Sequence, residues 1–154
     1  MKNLFASVSI ALSVIPTQIP ADPPFPVAAT ISGIAGVRDG DGILFGDAEI
    51  RLQGIAAPED NPNNREPGGR AATDALERLV KGMPVTCYLD GTTARKRPVG
   101  VCVLDGEDLG AWMVRNGFAR DCPSYSGGRY AEDERMARRD GMDLSERYAL
   151  PTYC

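Results

Sequence analysis

Alternating apolar and polar residues mark the first third of the chain as strand-forming. In residues 48–55 the positions Ala48, Ile50 and Leu52 are apolar and the residues between them are polar, so one face can be buried. Residues 30–38 and 43–45 are also strand-like, and turn residues at 39–42 and 46–47 separate the three segments. The pattern predicts a meander of three strands.

Helical periodicity begins at residue 70. Segment 70–81 carries an apolar stripe and is followed by Gly82, which predicts a helix with a glycine stop. A second helix is predicted between a cap at Asp108 and a stop at Gly117, and a third at 129–139. Strand-like runs at 85–89 and 99–104 lie between the first two helices. This order predicts an α+β fold with three helices, in which five strands close into an OB-fold β-barrel.

The composition excludes several kinds of catalytic site but says less about the fold. At 154 residues the chain has the size of one domain. It has no histidine, which excludes a histidine general base, a Ser-His-Asp triad and most catalytic zinc sites. The formal charge of −4 argues against a protein that coats nucleic acid non-specifically. A locally basic cleft remains compatible with that charge.

The first residues are typical of a secretory signal peptide. Residues 4–15 are almost wholly apolar or small, and prolines follow from Pro16. The run is short for a membrane span. We expect cleavage after Ala21, with Ala29 as the second choice; the alternatives are an uncleaved anchor and a buried terminal helix. The predicted organisation is a signal peptide at 1–21, a proline-rich tether at 22–29, a domain at 30–145 and a tail at 146–154. This predicts a periplasmic or secreted protein.

The cysteines agree with export. The chain has four, an even number that suits disulfides in an oxidising compartment, and no CxxC spacing supports a metal cluster. Cys87 and Cys102 lie in neighbouring strand-like runs at similar distances from the loop that joins them. We therefore predict a Cys87–Cys102 disulfide, and a Cys122–Cys154 disulfide that ties down the C-terminal tail.

Residues 37–59 combine five acidic residues with two tight turns in a short stretch. Asp39-Gly40-Asp41-Gly42 ends an apolar run, and the stretch from Arg51 to Glu59 reads RLQGIAAPE. Carboxylates at strand ends suit a hard cation, and a nearby arginine suits phosphate. Each residue alone also has a plainer explanation, since Asp-Gly is a common hairpin turn and a strand arginine is usually solvated.

Taken together, these two segments resemble the thermonuclease family, the staphylococcal-nuclease-like domains. That family has a DGDT-like turn followed by an R-L-x-x-I-D-x-P-E motif. Its second arginine opens a later strand after a Y-G pair, where this chain has Arg95-Lys96-Arg97. The resemblance extends from about residue 31 to residue 144, and it implies the same OB-fold.

The resemblance implies a calcium site. Asp41 would be the main ligand, Asp39 an outer neighbour, and the backbone carbonyl of Ala57 a further ligand. The family commonly has a second calcium-binding aspartate where this chain has Ala56. Losing a carboxylate should weaken calcium binding. We expect that Ala56→Asp would fit the site and restore that affinity.

The resemblance also implies the groups that act on the substrate. Glu59 would be the general base, and Arg51 and Arg97 would clamp the phosphate. Tyr125 matches a substrate-contacting tyrosine of the family, and Arg95 adds positive charge beside Arg97.

Two functions follow from the resemblance. The first is an enzyme, a calcium-dependent nuclease that hydrolyses DNA or RNA as a monomer, with no membrane association after signal removal. The second is a catalytically degenerate accessory or binding protein. Secreted proteins of this kind also resemble an accessory protein of rhizobial exopolysaccharide (succinoglycan) synthesis. The retention of Glu59 with both arginines favours the nuclease.

Overall fold

The computed structural model describes residues 23–154. The predicted signal peptide and the first residue of the tether lie outside the described residues. Eleven strands are present: β1 Ala29–Ile34, β2 Gly36–Asp39, β3 Gly42–Phe45, β4 Ala48–Leu52, β5 Ile55–Ala56, β6 Asp60–Asn61, β7 Asn64–Arg65, β8 Pro84–Ala94, β9 Arg97–Leu104, β10 Glu107–Asp108 and β11 Arg120–Asp121. The helices are α1 Gly69–Val80, α2 Leu109–Arg115, α3 Pro123–Ser126 and α4 Ala131–Arg139, followed by a 3-10 turn at Leu144–Glu146.

One mixed sheet forms the body of the protein. Its strands are paired in the order β1-β8-β9-β4-β3-β2, with β10 added on β9. All these pairs are antiparallel except β4 with β9, which places Arg51 opposite Val99 and Leu52 opposite Gly100. This parallel pair matters for function, because it sets the end of β4 beside the first half of β9.

The predicted barrel needs a correction. The α+β class is confirmed, but the paired strands form an open path, and no pairing among the described residues closes the sheet. The two end strands, β1 and β2, are consecutive in the chain and separated only by Ala35. The predicted strand at 30–38 is thus two strands, β1 and β2, which form the two opposite edges of the sheet.

The predicted strand at 48–55 is also interrupted. Strand β4 ends at Leu52, and Gly54 has a positive φ of 78°, so the chain turns before β5. An added Cβ at Gly54 would come within 2.8 Å of the Ser126 side chain, which a larger residue would displace. The turn separates Arg51 from the segment that leads to Glu59.

The three predicted helices are present close to their predicted bounds. Helix α1 ends at Val80 and Gly82 follows with a φ of 71°, as its glycine stop predicts. The Asp108 carboxylate accepts hydrogen bonds from the backbone N–H groups of Gly110 and Ala111, which caps α2. The short helix α3 was not predicted; it begins at a proline and is the element that carries Tyr125.

Both predicted disulfides are present. Cys87 and Cys102 are directly opposite in β8 and β9, and both are buried in the core. The second disulfide joins Cys122 to Cys154 across 32 residues of sequence. No helix within residues 23–154 has the length and apolarity needed to span a bilayer.

The β8–β9 hairpin turns through two residues that are not glycine but have left-handed backbones. Arg95 has a φ of 49° and Lys96 a φ of 70°. Side chains other than glycine pay about 1–2 kcal/mol in this region. The turn beside the candidate site is therefore strained, whereas the family has a glycine where this chain has Lys96.

We expect Lys96→Gly to raise the free energy of unfolding by about 0.5–1 kcal/mol, because glycine removes this strain. Urea unfolding followed by circular dichroism measures the change. Lys81→Gly is the matched control: Lys81 has a φ of −54°, so glycine there only adds freedom to the unfolded chain and should destabilise the protein. If both variants were less stable than wild type, the conclusion that the backbone at Lys96 is strained would be wrong.

Candidate active site

The turn between β2 and β3 is pressed against the core through Gly40. A Cβ at this position would lie 2.7 Å from the Cβ atoms of both Ala57 and Ala72, so only glycine fits. The close approach brings the flanking Asp39 and Asp41 to α1 and to the segment after β5. Asp39 Oδ1 accepts a hydrogen bond of 3.2 Å from the backbone N–H of Asp41, which fixes the turn.

Asp41 is the buried charge of the site. Its residue is only 6% exposed. Its Oδ1 accepts a hydrogen bond from Arg51 Nη1 at 2.5 Å, and its Oδ2 accepts one from the Ala57 backbone N–H at 3.3 Å. Burial raises the pKa of the Asp41 carboxyl, while the charge of Arg51 opposes that rise. The positive charge of Arg51 therefore offsets the cost of burying the negative charge of the Asp41 carboxylate.

Arg51 links the turn to β4 and β5. Besides its contact with Asp41, its Nη2 donates to the Ile55 carbonyl at 3.3 Å. The side chain is 15% exposed and lines a cleft of about 630 Å³. Arg51 thus forms a buried ion pair with Asp41 and also lines the cleft.

The cleft is lined by all five residues that the sequence predicted to act on substrate. Its lining includes Arg51, Glu59, Arg95, Arg97 and Tyr125. These positions span 75 residues of sequence, so the fold rather than local sequence brings them together. The predicted metal ligands Asp39, Asp41 and Ala57 are not in its lining.

Glu59 has a fixed backbone and an exposed side chain. Its N–H donates to Glu66 Oε2, and its carbonyl accepts from the Glu66 N–H, both at 2.9 Å. The Glu59 carboxylate has no hydrogen-bond partner within residues 23–154. A carboxylate held in this way is free to accept a hydrogen bond from water or substrate in the cleft.

Arg97 has a partner that the sequence did not suggest. Its Nη1 donates to Glu49 Oε1 at 2.9 Å, and its Nε contacts the Ala94 carbonyl at 3.4 Å. Glu49 shares the polar face of β4 with Arg51, and that shared face was the available signal. The parallel pairing of β4 with β9 then brings Glu49 close to Arg97, because it sets Glu49 near the start of β9.

The C-terminal tail reaches the same region. The Tyr148 hydroxyl donates to the Ala57 carbonyl at 3.2 Å, and Tyr148 is buried. Burial, together with the negative charge of Glu66, raises the pKa of Tyr148, so the phenol stays protonated and can donate. Tyr153 lies on the cleft. The sequence predicted a tied tail but gave neither tyrosine a role, because tyrosine spacing carries no signal without the fold.

These residues offer a calcium ion few free oxygen ligands in this arrangement. Calcium takes about six to eight oxygen ligands. Each oxygen of Asp41 already accepts one hydrogen bond, and the Ala57 carbonyl accepts one from the Tyr148 hydroxyl, which leaves one lone pair on each oxygen. No group of three or more potential metal-binding side chains is found in residues 23–154.

Position 56 cannot simply supply the missing carboxylate. Ala56 is 1% exposed and packs in a small apolar cluster with Leu144 and Tyr148. Our expectation that aspartate would fit at this position is revised, because its carboxylate would enter that cluster.

The mixed sheet with its helices, and a cleft lined by two arginines and a glutamate, are compatible with a nuclease-type domain. The staphylococcal nuclease homologue family matches residues 49–144, and the chain belongs to this family. No curated protein matches the chain. The match includes Arg51, Glu59 and Arg97, while the Asp39–Asp41 turn precedes it and Tyr148 follows it.

We expect Ala56→Asp to lower the free energy of unfolding by about 1–3 kcal/mol, since it places a carboxylate among apolar side chains. Urea unfolding with and without calcium measures the effect. Ala28→Asp, at an exposed position, is the control and should change little. A variant with unchanged stability and a melting temperature raised by calcium would show that position 56 can bind the ion after all.

Proposed function

We propose that the protein is a nuclease that hydrolyses phosphodiester bonds of DNA or RNA. The observation that carries the proposal is the convergence on one cleft of Arg51, Arg97 and Glu59, whose carboxylate has no partner among residues 23–154. Phosphodiester hydrolysis needs positive charge on the phosphoryl oxygens and a group that takes a proton from the attacking water. The cleft offers both kinds of group.

The two arginines are held ready for phosphate by acidic partners. Asp41 fixes Arg51, and Glu49 fixes Arg97. A guanidinium has more N–H donors than these contacts use, so each arginine can still donate to a phosphate oxygen. Their arrangement in advance of binding lowers the cost of ordering them around the transition state.

Glu59 would act on the water. Its carboxylate accepts a proton as the water oxygen attacks phosphorus, and the bond from phosphorus to the leaving oxygen breaks. Because Glu59 is exposed and lacks a cationic partner within the described residues, its charge is not neutralised before substrate arrives. Arg95 and Tyr125, at the same cleft, would contact the rest of the substrate chain.

Calcium, which the family resemblance implies, belongs to this proposal as a weakly held ion. It would compete with Arg51 for the Asp41 carboxylate and with Tyr148 for the Ala57 carbonyl. We therefore infer that any calcium effect requires high concentrations of the ion.

We propose export with loss of roughly the first 21 residues, followed by action as a monomer in the periplasm or outside the cell. The two disulfides and the apolar N-terminus support this location. The tether at 22–29, the domain at 30–145 and the tail at 146–154 complete the proposed organisation.

A second function has one observation in its favour. Ala56 stands where the family commonly has a calcium-binding aspartate, as a degenerate accessory or binding protein would allow. A role in exopolysaccharide synthesis stays a prediction. Cleavage by the purified protein separates the two functions.

We expect Glu59→Gln and Arg97→Ala each to reduce plasmid cleavage by about 100-fold or more, since each removes a group that acts in the transition state. Both side chains lie at the cleft, so circular dichroism should stay unchanged. Arg135→Ala removes an arginine from an exposed ion pair with Glu132 and is the control. Full activity in either cleft variant would refute the role assigned to that residue.

Calcium dependence can be tested through the Tyr148 hydroxyl. We expect Tyr148→Phe to shift half-maximal cleavage to lower calcium, because it frees the Ala57 carbonyl. Tyr130→Phe removes a different buried hydroxyl, which donates to Asp108, and should cause no shift. Cleavage rate against calcium concentration, with a chelator control, is the measurement. Cleavage that survives the chelator would mean that calcium is the wrong ion.

A further inference from the structure

The last residues of the chain are held beside the cleft. Cys154 is bonded to Cys122, and its carbonyl accepts hydrogen bonds from the Ser124 N–H at 3.0 Å and the Ser124 Oγ at 2.6 Å. These contacts fix the position of the preceding residue, Tyr153. The segment lies beyond the family match at 49–144.

Tyr153 meets Tyr125 at the edge of the cleft. Their ring centroids are 6.4 Å apart and their planes are inclined by 71°. Tyr125 is anchored in turn, since its backbone carbonyl accepts a hydrogen bond of 2.7 Å from the Gln53 side chain. The two rings therefore form a corner of fixed geometry.

Both rings remain accessible to solvent. Tyr153 is 51% exposed and Tyr125 is 60% exposed, and they are the aromatic members of the small set of exposed large apolar residues in 23–154. Exposed aromatic rings beside arginines suit single-stranded nucleic acid, because bases stack on the rings while the cations take the phosphates. A paired base inside a duplex presents no free face to such a corner.

We propose that Tyr153 is a specificity-determining residue that, with Tyr125, binds an unpaired nucleobase next to the phosphate held by Arg51 and Arg97. The proposal rests on the proposed nuclease function. It also makes the Cys122–Cys154 disulfide part of the binding site, since the disulfide fixes the segment that carries Tyr153. The competing explanation is that the two rings only pack the tail onto α3.

The test is fluorescence anisotropy with two labelled probes of equal length and charge. One is a single-stranded thymidine octamer with a phosphorothioate backbone, and the other is its abasic counterpart. We expect wild type to bind the thymidine probe about 5- to 100-fold more tightly. Tyr153→Ala should remove most of that preference, while Tyr153→Phe should keep it. Met83→Ala, an exposed apolar position outside the cleft, is the control.

The disulfide gives an independent arm. Replacing both Cys122 and Cys154 by serine should reduce the base preference as Tyr153→Ala does, and adding Tyr153→Ala to that variant should change little more. Equal binding of both probes by wild type, or an unchanged preference in Tyr153→Ala, would overturn the base-binding role while the phosphate cleft stands. Failure of wild type to bind or cleave either nucleic acid would instead remove the proposed function, and this inference with it.

Discussion

The buried ion pair between Asp41 and Arg51 is the contact on which the site depends. It joins the β2–β3 turn to β4, and through the Ala57 N–H and the Ile55 carbonyl it also holds the segment after β4. A buried ion pair adds little stability by itself, but removing one partner leaves an uncompensated charge that costs about 3–5 kcal/mol. The pair therefore acts mainly as a geometric constraint. It fixes the course of the backbone that leads to Glu59.

The second constraint is the tail. Without Tyr148 the Ala57 carbonyl would lack a side-chain donor, and without the Cys122–Cys154 disulfide little covalent restraint would hold the last residues near the cleft. The tail thus closes one side of a site that the rest of the domain leaves open. Its tyrosines combine two effects: one occupies a backbone oxygen, and the other presents a ring to the cleft. Both effects come from residues outside the family match.

Local patterns predicted the elements of this fold better than their connections. The Asp108 cap, the Gly82 stop and the Cys87–Cys102 pair follow from short-range chemistry, and all three are present. The break at Ala35 and the turn at Gly54 were missed, because a strand that changes partners keeps its alternation on both sides of the break. The Arg97–Glu49 pair was missed for a different reason. It depends on parallel pairing of β4 with β9, and sequence spacing does not reveal that register.

The contacts of each arginine also determine whether its substitution can test a catalytic role. Arg51 was predicted as a phosphate ligand equal to Arg97, but the two differ physically. Arg51 compensates a carboxylate that is 6% exposed, whereas Arg97 pairs with Glu49 at a partly exposed position. Removing Arg51 would disturb the fold and the cleft together, so lost activity would not identify its role. Removing Arg97 leaves Glu49 accessible to water, which limits the structural cost. Substitutions of Arg97 and Glu59 therefore test the proposed catalytic roles with the least disturbance of the fold.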